Sequence, residues 1–344
     1  MFTSSGAATS FLRAPGRLLC STLMCVFLTS CTSMQVKLGW KVYLAKTPVT
    51  SIDVKLPKGP AIAPGQKSPL VVSVKQPNGK VLLTQGQGGG KVLWKDLQVT
   101  SAVVAVNKKG VLSLASDPRV SDGKTGHVTV TVPSHPELHA DLDIPFRYDI
   151  AFKADFSGST GSSGMNGMDG TDGSSGSMGS TDPNNPSAGG NGGNGSDGSN
   201  GGDGGAGSDA LPVQIRVAYQ APTPQSKGRP LLQISVSSRA LERFFLVDPQ
   251  GGSLTVHADG GSGGSGGRGG RGGRGGSGGS GSPSGSDGMS GHDGLSGSDG
   301  SAGRGGLITV IYDPEVGQFM NVIHLTSANG PKPVFREDKV AALW

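Results

Sequence analysis

The 344-residue chain is poor in the materials of an ordinary enzyme: 5% of its residues are aromatic and 16% are charged. Its three cysteines, Cys20, Cys25 and Cys31, all lie near the N-terminus, so no disulfide can staple the body of the chain. The net charge of +5 is thinly spread and indicates no nucleic-acid partner. The N-terminal apolar run, "LLCSTLMCVFL" from Leu18 to Leu28, is eleven residues long. Spanning a bilayer takes about 20. No nucleophile–base pair or pair of acids assembles with any specificity, so neither an enzyme nor a cofactor is expected.

What the chain has instead is glycine, 61 residues of it. Before that excess begins, the N-terminus carries an export pattern, with Arg13 and Arg17 ahead of the apolar run and "LTSC" from Leu28 to Cys31 closing it. These residues resemble bacterial lipoprotein signals, in which a Leu, two small residues and a Cys mark cleavage and lipid attachment. The resemblance implies a signal peptide over 1–30, a lipidated Cys31 and anchorage of the mature chain to the membrane. Thr32 stands where an Asp would imply inner-membrane retention, so the outer membrane is implied.

An anchor and linker over 31–48, with Lys37, Lys41 and Lys46, leads into a β-patterned region over 49–156. Its short apolar runs, among them "LVVSV", "SAVVAV" and "HVTVTV", alternate with turn signals at Pro77-Asn78-Gly79, Lys109-Gly110 and Asp122-Gly123. The spacing predicts an immunoglobulin-like β-sandwich. Lacking the Cys–Trp–Cys core, it resembles the cysteine-free bacterial relatives of that fold. A second β region is expected over 209–259 and 307–344, where "SLTVHA" (Ser253 to Ala258) and "LITVIY" (Leu307 to Tyr312) read as two paired strands.

Glycine recurs at every third position in four blocks: 158–179 and 189–207, within an insertion over 157–208, then 260–281 and 285–306, within another over 260–306. Strict register over 31 in-phase glycines argues against a slack linker. Collagen also needs proline, and Pro183, Pro186 and Pro283 all sit in the breaks between blocks. The favoured reading keeps the three-residue turn, ~3.1 Å rise per residue, and packs bare glycine faces against one another as polyglycine-II helices. The breaks then act as hairpin turns. A monomer is favoured; a collagen-like homotrimer and disorder are the alternatives. Arg268, Arg271 and Arg274 would form one cationic stripe and Asp287, Asp293 and Asp299 an anionic one, able to pair weakly. The blocks resemble those of bacterial collagen-like surface lipoproteins, which implies architecture rather than activity.

The remaining motifs are weak. Gly192–Asn200 lacks the large apolar residue of a calcium nonapeptide. "RGGRGGRGG" has no interleaved aromatics for RNA, and "GQGGGKV" lacks the P-loop spacing. In "SHPELHADLD" a strand would place His135, Glu137, His139 and Asp141 on one face, a donor set for a zinc-like ion. The wet face of an antiparallel strand explains the same alternation and is favoured. The chain therefore reads as mainly β, with an Ig-like sandwich and a second β region carrying two glycine-triplet hairpin insertions. The expected function is an envelope structural, adhesion or interaction protein with a protein or surface-polymer partner. The alternative is a metal- or ligand-binding module built on His135–Asp141.

Overall fold

The structure is a computed structural model that describes residues 35–36, 38–224, 226–239 and 241–344. The expected signal segment and Cys31 lie outside these residues. The chain is mainly β and divides into two compact units; unit 1 ends at Arg147 but excludes Asp117–Gly123, which belongs to unit 2.

Unit 1 holds β1 (Ser51–Lys55), β2 (Lys67–Pro69), β3 (Val71–Lys75), β4 (Val81–Leu83), β5 (Gln98–Ala102), β6 (Ala105–Val106), β7 (Val111–Ser113), β8 (Gly126–Val132) and β9 (His135–Ile144). They form three antiparallel sheets of three strands, β1-β3-β4, β2-β7-β6 and β5-β8-β9. Strict alternation in β8 buries Val128, Val130 and Val132 and leaves His127, Thr129 and Thr131 at or near the surface. Those valines join Leu44, Ile62, Val72, Trp94 and Leu112 in one core. Two of the turn signals lie in hairpins, with Gly79 between β3 and β4 and Gly110 between β6 and β7. Asp122-Gly123 also turns, but the strands on either side of it, β7 and β8, lie in different sheets.

Unit 2 holds β10 (Ala151–Asp155), β11 (Val213–Gln220), β12 (Leu231–Ser238), β13 (Leu241–Val247), β14 (Ser253–His257), β15 (Ile308–Tyr312), β16 (Ile323–Thr326) and β17 (Val334–Glu337). One sheet runs β10-β14-β16 and the other β13-β12-β11-β15-β17, and both contribute to one apolar core. Here the structure corrects the sequence: β14 and β15, read as partners, lie in different sheets. Each pairs in parallel with a strand bordering the other glycine insertion, β14 with β10 and β15 with β11. Each insertion thus carries the chain from one sheet to the other. β10 and β14 lead into blocks that begin at Gly158 and Gly260, and β11 and β15 take up the chain after blocks that end at Gly207 and Gly306.

The crossing is prepared by shrinking side chains. Leu254, Val256 and Ala258 are each fully buried, and Gly260 follows two residues on. Two sheets normally sit ~10 Å apart because side chains fill the gap. Where the side chains vanish the layers meet, and the Gly306 N–H donates to the Ala258 carbonyl across them at 2.8 Å. Asp259 reinforces the junction. Burial opposes its ionisation, but the Ala328 N–H (2.6 Å) and Thr326 hydroxyl (2.8 Å) hold its carboxyl below the usual range.

Gly79 and Gly110 separate two kinds of glycine requirement. Both have positive φ, +80° and +70°, but a Cβ at Gly79 meets open space, whereas one at Gly110 would overlap the indole of Trp94. Gly79→Ala should therefore cost about 1 kcal/mol and Gly110→Ala about 3 kcal/mol, strain plus overpacking. Urea unfolding compares them directly; equal losses would contradict the packing of Trp94 under that turn.

Candidate functional site

In the four glycine blocks, backbone hydrogen bonds recur at every third residue. Glycines of block 1 (158–179) donate to block 3 (260–281), from Gly158 to Asp259 through Gly179 to Ser280, at 2.6–2.8 Å. The direction is parallel. Block 2 (189–207) runs antiparallel to block 1 and donates to it, from Gly190 to Ser177 through Gly205 to Ser162. Block 3 donates to block 2, from Gly261 to Ser208 through Gly279 to Gly190, at 2.8–2.9 Å. Block 4 (285–306) donates antiparallel to block 3 and accepts from block 2 in parallel, as in Gly288 to Gly276 and Gly198 to His292. Blocks 2 and 3 thus each bond three neighbours, while blocks 1 and 4 each bond two.

That arrangement explains the glycine content of each block. Block 3 doubles the glycine in every complete triplet, and its Gly261–Gly279 row is buried at each repeat. Block 2 doubles it wherever serine does not stand in. There Ser196 and Ser199 use their hydroxyls to accept the Thr171 and Met168 N–H groups of block 1 (2.8 and 2.7 Å). Blocks 1 and 4 are single-glycine over almost their whole length. A Cβ at Gly270 would overlap the Met168 carbonyl; at Gly202 the nearest atom is 3.3 Å away.

Asparagine and aspartate complete the network. In block 2, Asn191, Asn194, Asp197, Asn200 and Asp203 accept N–H groups of block 4 through Oδ1 at 2.7–2.9 Å. Asn166, Asp169 and Asp172 of block 1 accept the Arg268, Arg271 and Arg274 N–H groups. Asp299, Asp293 and Asp287 do the same for Gly266, Gly272 and Gly278, each at 2.8 Å. The anionic stripe therefore serves the backbone, and among the described residues it makes no ion pair with the arginine stripe. Met165, Met168, Met289 and Leu295 project from the outer blocks, exposed by 73 to 84%.

The second candidate lies on β8 and β9. The ladder pairs Thr131 with His139 but Val132 with His135, so an irregularity breaks the alternation. His135 lies opposite a buried position and its ring bonds Ser134 instead (3.0 Å). Glu137 is exposed within the irregular stretch. His135 thus departs from the face, while Glu137, His139 and Asp141 keep the exposed side of the alternation. His127 takes part instead: its Nδ1 lies 2.8 Å from Asp143, and its Nε2 lies 3.2 Å from the Thr129 hydroxyl and 3.4 Å from Asp141. Thr129 donates to Asp141 at 2.6 Å, and His139 stands 3.9 Å from that carboxylate. The hydrogen bond to Asp143 raises the His127 pKa, and the Thr129 hydroxyl lowers that of Asp141. Among the described residues no group of three or more His, Cys, Asp or Glu side chains is placed to hold a metal ion.

Compared with known proteins, the chain matches no protein family and no curated protein. The sequence reading overlooked the Asx acceptors, although their recurrence at the third triplet position in blocks 1, 2 and 4 was the signal. The nearness of His127 to Asp141 and Asp143 is not written in local spacing, because it depends on cross-strand register.

Gly270→Ala should cost about 3 kcal/mol or more, since the clash forces two backbones apart and breaks their bonds. Gly202→Ala should cost far less, about 1 kcal/mol or below, because its Cβ meets the Met165 nitrogen at 3.3 Å and asks only a small shift at an exposed position. Thermal unfolding of both variants checks the assignment of inner and outer glycine rows. For His127 the folded state favours the protonated ring. Its contribution is complete below the ordinary pKa of about 6.5 and fades as pH rises through the higher folded value. An NMR titration should place His127 above that ordinary value, and Asp143→Asn should bring it back down.

Proposed function

We propose that this chain is a lipid-anchored structural and interaction protein of the bacterial cell envelope, whose working part is a polyglycine-II body held on β-sheets. The observation that carries the reading is the backbone bonding of all four blocks at three-residue intervals. Three residues per turn is the pitch of the polyproline-II family of helices, which have no internal hydrogen bonds and must find partners elsewhere. Four helices bonded side by side supply those partners within one chain. The parallel strand pairs β10–β14 and β11–β15 favour the same assembly, because they deliver the block ends already aligned.

Such a body suits contact rather than turnover. Its surface is small polar side chains and backbone, with arginine, methionine and leucine at intervals, which fits a protein or surface polymer lying along it. The immunoglobulin-like reading of unit 1 supports a presenting role for that unit. Among the described residues no helix is long and apolar enough to cross a membrane. Attachment in this proposal comes from acylation of Cys31 at the outer membrane, as the "LTSC" pattern implies.

Two measurements test the proposal. Mass spectrometry of the protein extracted from membranes should find acyl groups on Cys31, and Cys31→Ala should release the chain from the membrane fraction. Residues 31–344 carrying Cys31→Ala should have the solution mass of a monomer, with slow amide exchange throughout 158–207 and 260–306. A trimer would favour collagen-like winding between chains. Rapid exchange in a monomer would remove the rigid body altogether.

A further inference from the structure

The N-terminal turn of unit 1 carries a second feature, distinct from the glycine blocks. Leu38 and Trp40 are exposed by 52 and 63%, and Trp40 is the most exposed aromatic among the described residues. They are not held loosely. The Trp40 and Lys41 N–H groups both donate to the Gln35 carbonyl (2.8 and 3.1 Å), and the Gly39 N–H donates to Val36 (3.0 Å). The Val42 N–H then ties the segment to Lys91 (3.0 Å). From the other side the Lys91 ammonium donates to the Gly39 carbonyl at 2.5 Å and the Lys41 ammonium to Gly90 at 3.3 Å. The turn is built to present an indole and a leucine to the outside.

Two cations are bonded into or beside it, and more follow along the chain. Besides Lys41 and Lys91, Lys46 is exposed in the 3-10 turn Leu44–Lys46, and Lys95 lies over the Tyr43 ring at 4.7 Å. None of these four lysines joins an ion pair among the described residues. The nearby acid, Asp96, is engaged by the Leu44 N–H at 3.0 Å. The bias extends over the whole unit: residues 35–116 and 124–147 carry 13 lysines and one arginine against five acids.

An exposed indole and leucine on a turn bonded by Lys41 and Lys91, in a unit rich in lysine, match the chemistry of a bilayer interface with anionic headgroups. Tryptophan settles at headgroup depth. Lysine stems lie along the apolar boundary while their ammonium groups reach phosphate. A nucleic acid would call for stacking aromatics along a groove, which a single indole does not offer. The position in the chain points the same way, since Trp40 follows Cys31 by only nine residues.

We propose that Leu38, Trp40 and the lysines around them form a docking surface for an anionic lipid bilayer, seating unit 1 against the membrane. One acyl-bearing terminus alone leaves a domain free to swing; a second contact of this kind holds it down. The proposal rests on the lipid-anchored reading only for which surface is met, because the contact itself needs no acyl chain.

Residues 31–344 with Cys31→Ala test it, since they carry no lipid. This protein should co-sediment with phosphatidylglycerol–phosphatidylcholine vesicles and not with phosphatidylcholine alone, and added salt should weaken the binding. Trp40→Ala should weaken it about tenfold. Lys46→Ala and Lys95→Ala should each weaken it about fivefold, from roughly 1 kcal/mol per basic residue near an anionic surface. Lys67→Ala, outside the patch, should bind like the parent. Leu38→Ser serves as a second apolar variant, and melting temperatures confirm that every variant is folded. The proposal is overturned if the parent ignores anionic vesicles, if folded Trp40→Ala and Leu38→Ser bind as tightly as the parent, or if Lys67→Ala loses as much as Lys46→Ala. Failure here would leave acylation of Cys31 standing, because that is read separately from the mass of the membrane-extracted protein.

Discussion

The hydrogen bond from a glycine N–H to a carbonyl of a neighbouring backbone, with no Cβ between them, is the interaction on which unit 2 depends. Each such bond contributes about 1 kcal/mol net, modest by itself. Repetition makes it structural. Along Gly158–Gly179 every glycine donates to the segment 259–280, and along Gly261–Gly279 every third N–H returns to the segment 190–208. A side chain at an inner row would separate two backbones and leave their polar groups unpaired, a larger cost than the bond itself contributes. Glycine here is chosen for the space it leaves rather than for conformational freedom, because the block glycines do not adopt positive φ.

The sheets and the blocks share one register. Ala151 pairs with Ser253 at the start of the β10–β14 pair, and seven residues further along each strand Gly158 lies beside Gly260 and donates to Asp259. Val213 pairs with Ile308 in the same way, and its N–H donates to Leu307. A slip of one residue in either sheet would put a serine or arginine where only glycine fits. The apolar core of Ile215, Leu254, Val256 and Ile308 therefore does two things: it stabilises the sheets and it sets the phase of the blocks.

Much of this was legible in the sequence, for reasons that differ by element. The triplet blocks declared themselves because three-residue periodicity is local, and the strands of unit 1 because β-branched alternation is local too. The doubled glycines of block 3 even marked it as an inner segment, once the number of neighbours is known to set the number of bare rows. Strand partnership was not legible. β14 and β15 flank the same insertion and look like partners, yet they lie in different sheets, each beside a strand bordering the other insertion, and nothing in "SLTVHA" or "LITVIY" says so. The histidine strand keeps its alternating wet face at Glu137, His139 and Asp141, but the irregularity at Thr131/Val132 puts His135 out of line and the ladder brings His127 beside Asp143, and only pairing reveals such a shift.

The interleaving of the two insertions has a consequence for how the chain comes together. Block 1 finds its parallel partner about a hundred residues downstream, and block 2 finds its own at a similar distance. A chain emerging from its N-terminus can match blocks 1 and 2 early, but that pair leaves the N–H groups of Gly158–Gly179 and of the Gly192–Gly207 row open to water until the later blocks arrive. Assembly must be dominated by distant loop closure, which is slow. During that interval the early pair is a sticky template for any other copy with bare backbone to offer. Delivery of each molecule alone, and thinly spread over a surface, would protect it from its neighbours while it finishes.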